Sequence, residues 1–250
     1  MRYNYKYAMP MDPRVLKKDF ESEGVDTIPG LVSLLKSIRT PEEYIPHHEP
    51  IRNKIYNLWF NVNIGRGINL RDREKLLPVF QQLSRIFKKT EKLSGKIYRG
   101  VTLPSIYKNL LSETFPDALE GDIVNINSQQ EQKKGILDFL KTSRPEVKEV
   151  LENLAYGLRS WTKDYDVSSA WAVDPYRKKK EDHDSILFIS GTHNAVFDCN
   201  SFFEVMGYHT QIKPFDPAEV ICLVEKPRIT RVKKVLDKTI ESALWWVEVV

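Results

Sequence analysis

Three stretches of this 250-residue chain carry side chains whose types could do chemistry together. In KIYRGV, Arg99 and Gly100 close a short strand pattern that follows a turn at Ser94-Gly95. In RSWTKDYDVSSAWA, Ser160 and Thr162 alternate on a strand pattern that runs into a helical one. In FDPAEVICLV, Glu219 stands immediately before an apolar strand pattern. A guanidinium fixed on a strand holds phosphate through a planar, always-charged fork that lysine lacks. A fixed carboxylate stabilises positive charge developing on a neighbouring group. A hydroxyl donating to that carboxylate orients it and favours its charged form. Each piece also has an ordinary reading. Arg99 can be a surface ion-pairing residue, Ser160 and Thr162 plain strand residues, and Glu219 a solvent-facing strand start. Glu204 and Glu225 compete for the role of Glu219. The latter is preferred because the loop enters the strand there, with Val220, Ile221, Leu223 and Val224 behind it.

Other chemistries find less support. NIGRGINL lacks a third glycine at the dinucleotide-binding offset, and SGK at 94–96 lacks the rest of a phosphate loop. His47 and His48 are adjacent and point apart, and the five histidines do not pair with cysteine or carboxylate at a zinc spacing, so no metal is expected. DHD at 182–184 reads as a solvated loop, and no nucleophile elbow is present. Two cysteines, Cys199 and Cys222, exclude a disulfide scaffold. No apolar run is long enough to span a membrane, and the N-terminus shows no apolar signal region, which leads us to expect a cytoplasmic protein.

The elements that must position these residues divide along the chain. The first third reads as helices, in VLKKDFE, IPGLVSLLKSI, IRNKIYNLWFNV and a long pattern over 70–93. Pro78 inside that last pattern predicts a kink or a late start. The proline-rich 40–50 reads as a hinge loop. From Ser94 onward short strand patterns accumulate, at 158–162, 185–190, 194–199, 219–225, 228–235 and 243–250, with helical patterns in SIYKNLLSETF, QQEQKKGILDFLKTS and RPEVKEVLENLAYGL. Helices first and strands later indicate an α+β fold, not a βαβ alternation. The overall net charge is +4, at 29% charged residues. The excess of Lys and Arg lies in the first 90 residues, and such a bias can favour acidic partners.

Taken in order, Tyr98-Arg99-Gly100, then Ser160-Trp161-Thr162 with Ser169-Ala170-Trp171-Ala172 downstream, then Glu219-Val220-Ile221, the chain resembles the Arg-Ser-Glu class of mono-ADP-ribosyltransferases. That class includes bacterial toxins and transferases of T4-type phages. The resemblance covers roughly 94–250 and leaves the N-terminal third uncovered. It implies a split β-sandwich catalytic core over 93–250; the helical patterns of the first third then make an N-terminal helical region over 1–92. It further implies NAD as substrate and a macromolecular acceptor, protein or nucleic acid, with release of nicotinamide in a phage-encoded or exported bacterial effector. Arg99, Gly100, Ser160 and Thr162 would bind NAD, and Glu219, Ser160 and Arg99 would be catalytic. In this picture Gly100 leaves room for the nicotinamide carboxamide. Cleavage of the nicotinamide–ribose bond builds oxocarbenium character on the ribose, which is why an anionic side chain is needed there.

The chain departs from that family where many members carry a second Glu or Gln. Two residues before Glu219 stands Pro217, which cannot act as a base. Asp216 is one step further back. An arginine acceptor is therefore not supported, and an NAD glycohydrolase using water remains an alternative, as does a non-catalytic nucleic-acid or protein-binding module. The aromatic stretch 202–217, with Phe202, Phe203, Tyr208 and Phe215, reads as a target-contacting loop or as core plugs. KPRITRVKKV (226–235) reads as an edge strand guarded by lysine, with nucleic-acid contact the sharper alternative.

Overall fold

The computed structural model describes residues 27–64, 75–87, 94–103, 107, 109–124, 126, 147–173, 184–192, 195–206, 218–238 and 240–250. In chain order the elements are α1 (Ile28–Ser37), α2 (Pro41–Ile64), α3 (Leu77–Ile86), β1 (Lys96–Thr102), α4 (Leu110–Thr114), β2 (Ile123–Val124), α5 (Val147–Ala155) and β3 (Gly157–Thr162). They continue with α6 (Tyr165–Ala172), β4 (Ser185–Gly191), β5 (Ala195–Asp198), α7 (Cys199–Met206), β6 (Glu219–Val224), β7 (Ile229–Asp237) and β8 (Ser242–Val249). The chain is a mixture of helix and sheet, and it divides into two compact units.

The first unit takes in 1–93, 157–160 and 194–223, so the N-terminal helices share a core with β5, α7, most of β6 and the start of β3. In α1 the Thr27 hydroxyl accepts from Gly30 N at 3.1 Å, a proline occupies the first turn, and Leu31 and Leu35 face the core one turn apart. The last carbonyls of that segment are closed by α3, whose Arg85 donates through Nη2 to Leu35 O at 2.8 Å and Ile38 O at 2.6 Å. The expected late start of α3 is observed: Pro78 lies in its first turn, where its missing N–H costs nothing, and Val79, Phe80, Leu83 and Ile86 are buried.

The expected hinge at 40–50 is instead the first half of α2, with Pro46 and Pro50 inside the helix. Each proline removes one backbone hydrogen bond. The reason the helix survives is visible in its stripe: Tyr44, His48, Ile51, Ile55 and Leu58 recur at helical spacing through both prolines, and all are buried. Phe202 anchors this core, ringed by Tyr44, Phe87 and Phe197 in edge-on contacts. Phe202 and Phe203 therefore belong to α7 and to the core, not to a target-contacting loop; both lie in the buried cluster of this unit. Tyr208 and Phe215 lie outside the described residues, as do Asp216, Pro217 and the helical pattern 129–143.

The second unit takes in 94–156, 161–193 and 224–250. Its strands lie in the order β2-β7-β8-β4-β1-β3, antiparallel except for the parallel pair β4–β8. The expectation of an edge strand at β7 is corrected, because β2 pairs with it at Val232 and Lys233. A register shift between Ile229 and Arg231 marks a bulge near its start. Helix α6 lies directly on β1. A Cβ built on Gly100 would meet Ser168 O at 2.0 Å and Ala172 N at 2.5 Å, so only glycine permits this approach. Among the described residues no helix is long and apolar enough to cross a membrane.

Candidate active site

In the first unit, Ser160 of β3 and Glu219 of β6 meet on neighbouring strands. The chain turns out of α5 at Gly157, whose φ of 87° suits a residue without a Cβ, and then extends as β3. Glu219 opens β6, where Val220, Ile221, Cys222 and Val224 are all buried. The Ser160 hydroxyl donates to Glu219 Oε1, and both side chains are buried, Glu219 at 2% exposure. A carboxylate taken out of water needs such donors, and its field acts over a longer range there than it would in solvent. This is the arrangement a site needs in order to stabilise a developing cation.

The competing glutamates sit differently. Glu204 is exposed on α7 and accepts from Asn200 Nδ2 at 2.7 Å; Glu225 is exposed beyond the end of β6. Of the three candidates, only Glu219 combines burial with a hydroxyl donor at a strand start.

In the second unit, Arg99 and Gly100 lie in the middle of β1 and not at its close, paired across to Phe188 and Leu187 of β4. The strand is longer than its sequence pattern because the pairing with β4 continues from Lys96 to Thr102. Arg99 is half-buried. Gly100 has a packing reason to be glycine, the α6 backbone described above. Thr162 ends β3 opposite Tyr98 of β1. Its Oγ1 accepts from Asp164 N at 3.0 Å, a side-chain turn that swings the chain out of the strand. Asp164 then caps α6, its Oδ1 accepting from Asp166 N at 2.9 Å and Val167 N at 3.2 Å. The strand-to-helix transition after Ser160 is thus written in Thr162 and Asp164.

No family model and no curated protein matches the chain. Among solved structures there is a likeness to the ADP-ribosyltransferase Vis in complex with an inhibitor, M6. It has 14% identity and a TM-score of 0.33, over 92% of this chain and 85% of that one. At so low a TM-score the likeness leaves function to this chain's own residues.

Three polar residues, two of them buried and one half-buried, went unread in the sequence. Asp184, expected in a solvated loop, is buried and accepts from Leu111 N at 2.5 Å, Ser112 N at 3.1 Å and the Ser112 hydroxyl. It closes the N-terminal turn of α4 from a distant point in the chain, and its position directly before the apolar run SILFIS was the available signal. Tyr165 donates to Asp237 Oδ2 at 2.6 Å, and burial together with that carboxylate pushes its hydroxyl pKa up. Arg159, beside Ser160, is buried as well, and nothing in its local sequence distinguishes it. Among the described residues no three His, Cys, Asp or Glu side chains are grouped to hold a metal ion.

Proposed function

We propose that the chain is a mono-ADP-ribosyltransferase of the Arg-Ser-Glu kind, moving ADP-ribose from NAD to a macromolecule and releasing nicotinamide. The observation that carries this reading is the buried Ser160–Glu219 pair at the start of an apolar strand. In the proposed mechanism the Arg99 guanidinium is assigned to the pyrophosphate of NAD, and Gly100 and Thr162 are assigned to NAD binding with it. Glu219 is assigned to the ribose. As the bond between C1′ and nicotinamide breaks, the bonding pair leaves with the nicotinamide and positive charge grows on the ribose. The Glu219 carboxylate stabilises that charge, and Ser160 keeps the carboxylate oriented. The split sandwich and a catalytic core over 93–250 belong to this proposal.

A second reading shares every residue named. Pro217 stands in the sequence where an acceptor-activating carboxylate would be, which leaves a macromolecular acceptor that needs no base and, in an NAD glycohydrolase, water as the two acceptors to distinguish. Incubating the protein with cell extract and NAD, followed by mass spectrometry, separates the two. A peptide or nucleotide carrying ADP-ribose supports transfer. Free ADP-ribose as the only product supports hydrolysis, and intact NAD removes both.

A further inference from the structure

We propose that the β7–β8 face of the second unit is a docking strip for single-stranded nucleic acid. The proposal does not rest on NAD chemistry. Residues 226–238 carry six basic side chains, among them Arg231, Lys233 and Lys238, against a single acid, Asp237. Arg231 and Lys233 are two apart on β7 and therefore share a face. Directly across on β8, Lys233 pairs with Trp246 and Arg231 with Glu248. Beside this row lies a depression of about 420 Å³ lined by Tyr165, Val235, Leu236, Asp237, Lys238 and Trp246. Its volume falls within the range of small-ligand sites, and its lining is mainly aromatic and aliphatic.

The parts fit a chain of bases and phosphates. Tyr165 and Trp246 meet edge-on, with ring centroids 5.9 Å apart and planes at 74°; both are half-buried and line the depression, where a ring surface left open is one on which a base stacks without regard to sequence. Arg231 and Lys233 lie beside it on β7, and Lys238 directly follows the end of that strand, where backbone phosphates would run. Neither the acid of β7 nor the one across from it on β8 opposes this. Asp237 is buried, with Oδ2 held by the Tyr165 hydroxyl and Oδ1 by Ile240 N at 3.3 Å. The Arg231–Glu248 pair is long, 4.0 Å, with both side chains more than a third exposed, so a phosphate can displace it. Leu236, 46% exposed, also lines the depression. Charge complementarity and the aromatic pair together select a polyanion that has rings, where charge alone would select any acidic surface.

The test is fluorescence anisotropy of a labelled single-stranded RNA of about 12 nucleotides, without NAD, from about 50 to 200 mM salt. We expect binding at low salt, weakened about tenfold or more in Arg231→Gln/Lys233→Gln. The slope of log affinity against log salt should become shallower by about 0.7 for each phosphate that the double variant no longer neutralises. Lys36→Gln, an exposed residue of the first unit, should change neither quantity. Absence of binding at low salt overturns the proposal. So does an unchanged slope in the double variant, an equal loss in Lys36→Gln, or displacement by poly-glutamate as effective as by unlabelled RNA, which would indicate an acidic protein surface instead. Circular dichroism confirms that the substitutions leave the fold intact.

Discussion

Gly100→Ala adds one methyl group to β1, beside Arg99, and its effect can be worked from two distances. The new Cβ would stand 2.0 Å from Ser168 O and 2.5 Å from Ala172 N, where ordinary contacts begin near 3.4 Å. Both neighbours are helix backbone, so no flexible side chain can swing away. Helix α6 must withdraw from β1 by more than an ångström, opening the packing of Ala172, Leu187 and Leu244 beneath it. Overpacking of this kind costs about 1–3 kcal/mol, and a backbone clash belongs at the upper end. Replacing glycine also restricts the unfolded chain, which returns about 0.4–1 kcal/mol. The expected net loss is about 2 kcal/mol, read as a lower urea midpoint by far-ultraviolet circular dichroism. For a chain of this size that is a fall in Tm of roughly 4–8 °C. A midpoint equal to or above that of the parent protein would refute the close approach of α6, and with it the packing account of this glycine.

Four further outcomes follow from the same structure, one of them taken up last. Asp184→Ala leaves the α4 N–H groups and the Ser112 hydroxyl without their buried acceptor, and should lower stability by about 2–3 kcal/mol in urea titration. His48 is held below its ordinary pKa of 6.5 by burial and then by Arg52, with Glu49 opposing, while Tyr44 Oη sits 3.1 Å from its Nδ1. Because the unfolded chain takes up a proton there before the folded one does, stability should fall as pH drops below about 6.5. His48→Gln should flatten that part of the pH–stability curve; an equally steep curve would remove His48 as its source. If Arg99 binds NAD as proposed, Arg99→Lys keeps the charge and loses the fork, so KM for NAD should rise about tenfold with the fold retained, measured by nicotinamide release.

The strands were largely legible because most carry short runs of apolar, β-branched or aromatic residues bounded by turn residues, and seven of the eight lie within about two residues of their sequence patterns. The eighth, β2, is two residues long and exists through its pairing with β7, more than a hundred positions away, which no local pattern encodes. Helix α2 was obscured by Pro46 and Pro50, although its stripe from Tyr44 to Leu58 carried the helical period throughout. Helix α7 was hidden because two consecutive phenylalanines in eight residues look like a sticky loop until α2 and α3 are seen to cover them. At the candidate site, the order of motifs was enough to anticipate a hydroxyl beside Glu219, and Ser160 provides it. The turn made by Thr162 and the packing demand at Gly100 depend on α6 and could not be read from strand alternation.

The central claim is that the carboxylate of Glu219, held by Ser160, drives cleavage of NAD. Nicotinamide release by the purified protein and by Glu219→Gln, followed by liquid chromatography, tests it most directly. Glutamine keeps the shape and an acceptor oxygen for Ser160 but removes the charge. The account predicts turnover by the parent protein and a loss of about a hundredfold or more in the variant at unchanged circular dichroism. Equal release by the two proteins, or none by the parent, would contradict it.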